Sequence, residues 1–305
     1  MHAILLKESE MASLMNTACI LSNSYLLIIL LLTMTMNMVV SSSFCENSHR
    51  GSGHDRILDI SVPLSSDLPT WHRPPGSLMP ISVLATAGVH SSASSTSFMH
   101  FHSHTGTHVD AFKHFVPDNS QFCVSSSSSA LSHRSCRDGD DLLALPLHIL
   151  NGPVHIVNVP DDVKSISAKW LDRAFPSREM TPRRILFRTR HSRDRSMYNP
   201  VFQEDFIALD ITGAKWVVER GVRLVGVDYL SALTLEDGVS GHQVLLGHGV
   251  VLVEGLDLLL EGEDLSDGGS ASLICLPLAV TGGDGTPVRA ALSFASPESD
   301  ASCKV

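Results

Sequence analysis

The second half of the chain alternates short β-branched runs with segments of helical periodicity. The runs are typical of buried strands and comprise Val154–Val159, Ile185–Arg188, Val222–Val227 and Val250–Glu254. Between them we predict a helix over Ser167–Phe175, which ends at Pro176. A second helix is predicted over Gly213–Arg220, with Gly221 as its C-terminal cap. This alternation of strands and helices is typical of the α/β class.

The first half and the C-terminal end add shorter strands to this pattern. The strands predicted before the alternating region are Ile57–Val62, Ile81–Ala85 and Ser97–His102. A closing hairpin is predicted from Leu273–Leu278 and Val288–Phe294, around the turn at Gly282–Gly285. Residues 116–141, which include a serine run, have loop composition and indicate a loop insert. Because no repeat and no break in composition divides the chain, we predict a single domain.

The N-terminal segment has the composition of a targeting sequence. Residues 18–40 carry no charge, and Ser41–Ser43 supply small residues suited to cleavage. We therefore predict a secretory signal peptide over residues 1–43 and a mature domain over 44–305. The run is also long enough to act as an uncleaved signal anchor in the endoplasmic reticulum membrane. Both alternatives send the domain into the secretory pathway, and we expect a secreted protein of the cell wall or extracellular matrix.

Composition excludes several classes of protein. Hydrophobic residues make up 43% of the chain and charged residues 18%, which argues against a disordered, collagen-like or coiled-coil chain. The net charge of −10 disfavours a nucleic-acid partner, because binding to phosphates needs concentrated positive charge. The unusual feature is histidine: five of the 16 histidines lie between positions 100 and 114.

The histidine-rich stretch contains a motif suited to metal binding. It comprises His104, His108, Asp110 and His114, with Thr-Gly-Thr between the first two histidines. Imidazole nitrogens and a carboxylate suit Zn²⁺ or Mn²⁺. Because Thr-Gly-Thr is a poor helix sequence, we expect a turn after a strand, bent at Gly106. Three ligands from one short segment leave coordination positions for water, which favours a catalytic site over ordinary surface or core histidines.

A second set of polar residues lies downstream. We expect His242 near the start of a short helix, and Glu254 ends the apolar strand at Val250–Val253. By spacing alone, Glu254 is as readily explained as the start of a solvated loop. Weaker candidates for shaping a pocket are Trp71, His72 and Gln243, whereas His100 and His102 are assigned to one face of the incoming strand.

These residues together resemble a known family. The first motif is similar to the signature of the cyclase-like metal-dependent hydrolases, a group that includes bacterial kynurenine formamidase and isatin hydrolase. The spacing from His242 to Glu254 matches the second ligand pair of that family. The segments Arg184–Thr189 and Leu224–Ser231 resemble the plant cyclase-like branch, and the resemblance covers roughly residues 55–294.

The resemblance implies a fold, an activity and a set of site residues. The fold would be a single α/β domain with a mixed, barrel-like sheet and flanking helices, of the swivelling β/β/α type, assembled as a homo-oligomer. The activity would be hydrolysis of the C–N bond of a small-molecule amide, a formamide or cyclic amide, with one or two Zn²⁺ or Mn²⁺ ions. One metal would be held by His104, His108 and Asp110. Asp110 would bridge to a second metal held by His242 and Glu254, and His114 would be the acid/base.

Two departures from the family pattern motivate alternatives. Phe112 stands where we expect a proline, a change that would displace His114, and the serine-rich insert follows directly. One alternative is a catalytically impaired protein of the same fold, with an interaction role in the secretory pathway or cell wall. Another is a hydrolase of esters or lactones that uses the same activated water.

Overall fold

The computed structural model describes residues 56–65, 67–71, 81–85, 97–116, 139–260 and 271–294. These residues belong to one compact unit, His54–Val305. The proposed leader and residues 117–138 of the predicted insert lie outside the described residues, so both stay predictions. Within the described ranges, no helix has the length and apolar character needed to cross a membrane.

The described strands build a closed, mixed sheet. The strands are β1 (Arg56–Asp59), β2 (Ile81–Ala85), β3 (Ser97–Phe101), β4 (His108–Asp110), β5 (Gly152–Asn158), β6 (Arg184–Arg188), β7 (Leu224–Val227), β8 (Val251–Glu254), β9 (Ala271–Pro277) and β10 (Gly285–Phe294). The order is β1-β10-β4-β8-β7-β6-β5-β9, and β9 also pairs with β10, which closes seven strands into a barrel. Strands β5 to β8 run parallel and the other pairs are antiparallel. The prediction of an α/β domain with a mixed, barrel-like sheet is confirmed.

The parallel part of the barrel explains the continuous apolar runs in the sequence. Strands of a parallel sheet that are covered on both faces have no solvent-facing side, so their interior positions are apolar, and the charged residues of β6 and β8 lie at the strand ends. Each residue of β7 and β8 is buried, as are the first four residues of β6. Strand β1 extends the sheet along β10, while β2 and β3 pair with each other as a separate ribbon.

Short helices connect the strands. They are α1 (Leu147–Leu150), α2 (Ala168–Ala174), α3 (Arg190–Arg193), α4 (Ile211–Glu219) and α5 (Gly238–Gly247), with 3-10 turns at Phe112–His114, Leu142–Ala144 and Ser196–Tyr198. The Ser167 side chain accepts a hydrogen bond from Trp170 N and begins α2 where the sequence predicts. After α4, Gly221 has φ +76° and closes the helix as predicted.

Several predicted boundaries are wrong by one to three residues, and two of them concern the first strand and the helix around His242. The first strand ends at Asp59 rather than Val62, because Val62 N donates to the Thr107 hydroxyl at 2.8 Å instead of continuing the ladder. The helix expected to open near His242 begins at Gly238, and Gly241 N donates to Asp237 O at 2.7 Å within its first turn. His242 therefore lies inside α5.

A buried polar network fixes the segment that follows β6. The Asp228 carboxylate, just after β7, accepts hydrogen bonds from the backbone N–H and hydroxyl of both Thr189 and Ser192. Next to this network His191 stacks on Tyr229 with ring centroids 4.4 Å apart. His191 Nε2 accepts from Ile207 N, so Nδ1 carries the proton that is donated to the Ser196 hydroxyl. Burial lowers the pKa of His191 to about 4.

The low pKa of His191 makes stability depend on pH. Its pKa lies below the value of ~6.5 expected in the unfolded chain, so the stabilisation is present above pH ~6.5 and is lost as pH falls towards the folded value. At ~1.4 kcal/mol per pKa unit, the wild type loses about 2 kcal/mol through this residue between pH 6.5 and 5. Urea unfolding of the wild type and of His191→Gln at several pH values measures how the free energy of unfolding changes between pH 6.5 and 5. The same dependence on pH in both proteins would contradict this role of His191.

Candidate metal centre

The turn between β3 and β4 carries the first histidine of the motif. His104 lies on this turn, Gly106 bends it with φ +62°, and His108 begins β4. The Thr107 hydroxyl holds the turn because it donates to Gly255 O at 2.5 Å and accepts from Val62 N. The predicted turn bent at Gly106 is confirmed.

Strand β4 places its polar residues next to β8 and β10. His108 is the register partner of Glu254, and Asp110 is the partner of Gly285. Since alternate residues of a strand share a face, His108 and Asp110 point to the same side. His108 Nε2 lies 3.6 Å from Asp110 Oδ1 and 3.3 Å from Glu254 Oε2.

Helix α5 supplies the second buried histidine. His242 Nε2 lies 3.4 Å from Glu254 Oε1 and 3.8 Å from Asp110 Oδ2. The position of Glu254 is fixed from behind, because Oε1 also accepts from Ala232 N at 2.7 Å. Phe115 stacks on the His242 ring with centroids 4.3 Å apart.

Backbone contacts determine which nitrogen each of these two rings presents. His108 Nδ1 donates to Gly106 O at 2.9 Å, and His242 Nδ1 donates to Gly238 O at 2.5 Å. A carbonyl can only accept, so Nδ1 carries the proton in both rings. Both Nε2 atoms therefore present a lone pair to the carboxylates when the rings are neutral, which is the arrangement of metal-binding histidines.

His104 and His114 lie on the other edge of the cluster. His104 Nδ1 is 2.8 Å from Asp110 Oδ1, and His104 Nε2 is 3.2 Å from Asp284 Oδ2. His114 stacks on His104 with centroids 3.8 Å apart, and its Nδ1 lies 3.6 Å from Asp284 Oδ2. The structure thus brings all six predicted site residues together. It adds Asp284, which sequence reasoning placed only in a hairpin turn.

The remaining candidates contribute less to the cluster. Phe112, at the expected proline position, is fully buried in the core and begins the 3-10 turn that carries His114. Its presence leaves His114 in contact with His104. Trp71 is exposed and its ring contacts those of Phe202 and Phe206, and His72 lies outside the described residues.

The cluster fits a divalent cation. Within the described residues, two groups of donor atoms could hold an ion: His104, Asp110 and His114, and His108, Asp110 and Glu254. The buried atoms His108 Nε2, Asp110 Oδ1 and Asp110 Oδ2 make no properly directed hydrogen bond. Unpaired buried polar atoms are costly, and here they converge with the chemistry that Zn²⁺ and Mn²⁺ prefer. Asp110 is common to both groups, whereas the family resemblance groups His104 with His108.

Without a cation, protons balance the buried carboxylates. Burial opposes ionisation of Asp110, but the neighbouring imidazoles hold its pKa well below the usual value. Burial also opposes protonation of His104, yet Asp110 and Asp284 raise the pKa of His104 to about 10. The pKa of His114 is lowered, chiefly by burial. A metal ion would therefore displace a proton from His104 when it binds.

The chain belongs to the cyclase family. The sequence model of the Cyclase family matches residues 58–232. Cyclase-like protein 1 of Arabidopsis thaliana is 35% identical over 239 residues, covering 78% of this chain and 84% of the relative. Kynurenine formamidase of Bacillus mycoides is 31% identical over 238 residues, covering 77% of this chain and 96% of the relative.

Solved structures share the fold. Isatin hydrolase A from Labrenzia aggregata matches with a TM-score of 0.59 and 18% identity, over 86% of this chain and all of that one. A structure described as a potential metal-dependent hydrolase with cyclase activity matches with a TM-score of 0.58 and 21% identity, over 80% of this chain and all of that one. At these identities the likeness concerns the architecture of the barrel.

Close contact between two glycines holds the His104 turn against the end of β8. A Cβ at Gly255, where φ is +67°, would lie 2.4 Å from Gly106 O. At Gly221, with a similar φ of +76°, a Cβ would meet nothing within 4 Å.

Gly221→Ala should therefore lower the free energy of unfolding only by the ~1–2 kcal/mol that a left-handed backbone conformation costs a residue with a side chain. Gly255→Ala should cost about 1–3 kcal/mol more, because backbone must move. Equal losses in urea unfolding would contradict this packing.

Proposed function

We propose that the protein is a metal-dependent hydrolase that cleaves the C–N bond of a small-molecule amide. The substrate would be a formamide or a cyclic amide, similar to N-formylkynurenine, and the cofactor one or two Zn²⁺ or Mn²⁺ ions. The observation that carries this proposal is the convergence of buried metal-binding atoms of His108 and Asp110 that make no properly directed hydrogen bond. Relatedness to kynurenine formamidase supports the amide class of substrate.

The residues proposed to hold the metal come from four elements around the barrel end. They are His104, His108, Asp110, His242 and Glu254. A divalent cation bound there would supply Lewis-acid chemistry, which lowers the pKa of water and polarises a carbonyl. The chain supplies the fixed ring orientations, through the backbone carbonyls that accept from His108 and His242.

His114 is proposed to move the proton. Its side chain is about a quarter exposed, with 26% of its surface accessible, so it faces both the cluster and solvent. Burial lowers its pKa, so the ring is neutral at pH 7 and can accept a proton from the attacking water. Since Nδ1 faces Asp284, Nε2 is the atom that would take this proton and pass it to the departing nitrogen. Stacking on His104 and an edge contact with Phe115 hold the ring in place.

Removing a proposed ligand should abolish both metal binding and hydrolysis. For His108→Ala we expect loss of stoichiometric metal and a fall in kcat/KM of more than about 100-fold. Loss of a residue that only hydrogen-bonds to a metal ligand already lowers metal affinity or activity by about 10–100-fold, and loss of a ligand should lower them further. His100→Ala is the matched control, since His100 is exposed on β3. The measurements are metal content and hydrolysis of N-formylkynurenine, isatin and an aryl ester.

The outcomes separate the proposed function from its alternatives. Hydrolysis of the ester with none of either amide would favour an ester or lactone hydrolase. Stoichiometric metal in the wild type with no hydrolysis of any substrate would favour a catalytically impaired protein. Unchanged metal content in His108→Ala would show that the ligand assignment is wrong.

The role of His114 can be distinguished from that of a ligand. We expect His114→Gln to keep its metal while kcat falls by ~10²–10⁴-fold, the usual contribution of a general acid/base. Metal analysis of the same preparation that is assayed makes the comparison direct. If His114→Gln loses metal together with activity, His114 is a ligand and the proton must be moved by another group.

Location and assembly are proposed from the sequence. We propose a secreted protein, with membrane attachment only if the leader stays uncleaved, because residues 18–40 carry no charge. We also propose a homo-oligomer. After expression in a eukaryotic secretory host, intact mass is expected to show loss of about 43 residues, and light scattering gives the number of subunits. Full-length protein retained inside the cell would overturn the proposed export.

A further inference from the structure

We propose that Asp284 is a positioning residue that fixes the orientation of His104, so that Nδ1 of this ring is presented to the metal. The inference rests on the proposed function, because it concerns how one of the proposed ligands is held. Asp284 lies in the turn between β9 and β10, 180 positions along the chain from His104.

Both nitrogens of His104 face carboxylates. Nδ1 lies 2.8 Å from Asp110 Oδ1, on the side of the proposed metal. Nε2 lies 3.2 Å from Asp284 Oδ2 and makes a hydrogen bond with it. A carboxylate only accepts, so without a cation both nitrogens of His104 donate, Nδ1 to Asp110 and Nε2 to Asp284. A cation bound beside Asp110 would take the place of the Nδ1 proton, while Nε2 would keep its proton and its hydrogen bond to Asp284. Rotation of the ring by half a turn about its Cβ–Cγ bond would place carbon atoms, instead of nitrogen atoms, against both carboxylates.

The turn that carries Asp284 is anchored on two sides. Asp284 O accepts from Ala111 N at 3.0 Å, directly after the proposed ligand Asp110. On the other side Gly282 N donates to Asp141 Oδ2 at 2.6 Å, and Leu142 N donates to Gly283 O at 3.2 Å. The Asp284 carboxylate therefore stands on fixed backbone, although 47% of its side-chain surface is exposed.

Glycine next to Asp284 makes room for the ring. A Cβ at Gly285 would lie 2.5 Å from His104 Cε1 and 2.8 Å from Nε2. The imidazole thus lies directly against the first residue of β10, and His114 stacks on it. Packing confines the plane of the ring but does not choose between its two flipped orientations. The hydrogen bond to Asp284 favours the observed orientation, as does the contact of Nδ1 with Asp110.

A carboxylate behind a metal-binding imidazole also raises the basicity of the opposite nitrogen. Such partners usually contribute about 10–100-fold to metal affinity. The same Oδ2 atom lies 3.6 Å from His114 Nδ1, so one carboxylate oxygen lies beside both stacked rings.

The test is the affinity of the metal-free protein for Zn²⁺, measured by competition with a chromophoric chelator. Asp284→Ala is expected to weaken Zn²⁺ binding by about 10–100-fold. Asp284→Asn keeps an acceptor oxygen without the charge, so a smaller loss is expected. Asp141→Ala is the matched control, because it releases the same turn at Gly282 without touching His104. It should change the affinity by less than about 3-fold, and thermal unfolding reports whether each variant folds.

A second readout follows the ring itself. In the Zn²⁺-loaded protein, long-range ¹H–¹⁵N spectra should show His104 bound through Nδ1 and protonated at Nε2, with this pattern lost or mixed in Asp284→Ala. Asp284→Asn should restore it, and this variant decides the question if Asp284→Ala does not fold.

Three results would overturn the proposal. These are wild-type affinity in both Asp284 variants, an equal loss in Asp141→Ala, and coordination of His104 through Nε2 in the wild type. His108→Ala, measured alongside, keeps this failure distinguishable from failure of the proposed function. If His108→Ala loses Zn²⁺ while the Asp284 variants do not, only the role of Asp284 is wrong. If His108→Ala binds Zn²⁺ like the wild type, the proposed metal site is wrong.

Discussion

The pairing of the three-residue strand β4 between β8 and β10 is the interaction on which the site depends. It sets His108 opposite Glu254 and Asp110 opposite Gly285. Strand β10, which pairs with β4, also pairs with β9 and so closes the barrel. A shift of β4 relative to its neighbours would therefore disrupt the pairing that closes the sheet. The contact of Gly106 with Gly255 and the hydrogen bonds of Thr107 then fix the turn that carries His104. Long-range sheet pairing thus gives the preorganisation that metal and catalytic sites require.

The buried charges of this cluster lower the stability of the fold, and their arrangement is explained by metal binding. Asp110 and Glu254 are both buried, and their negative charges are close enough for each to affect the other. Four imidazoles surround them, and in the absence of a cation the neighbouring carboxylates favour protonation of two of these rings, because they raise the pKa of His104 and of His242 against the effect of burial. Buried atoms of Asp110 and His108 still make no properly directed hydrogen bond. A core built only for stability would not keep such atoms, because each costs free energy when it has no partner.

Much of the architecture follows from local patterns in the sequence. The residues of β7 and the interior positions of β6 and β8 are apolar because both faces of these strands are covered, and Ser167 and Gly221 limit their helices through local backbone geometry. The motif from His104 to His114 also lies within one segment, so its convergence could be predicted.

The sequence does not predict the start of α5 correctly, because Gly238 and Gly241 are poor helix formers and packing overrides that preference. Asp284 was missed because an acidic residue in a glycine-rich turn has no local sign that distinguishes it; its partner His104 is brought close only by barrel closure.

The central claim is that the convergent donor atoms hold a divalent cation, and anomalous diffraction tests it most directly. Crystals grown with Zn²⁺ and measured on both sides of the zinc absorption edge locate the metal independently of any assay. The account predicts an anomalous peak at about 2.0–2.2 Å from His108 Nε2 and a carboxylate oxygen of Asp110. A fully loaded, ordered crystal with no peak at these atoms, or with peaks only at surface histidines, would contradict it.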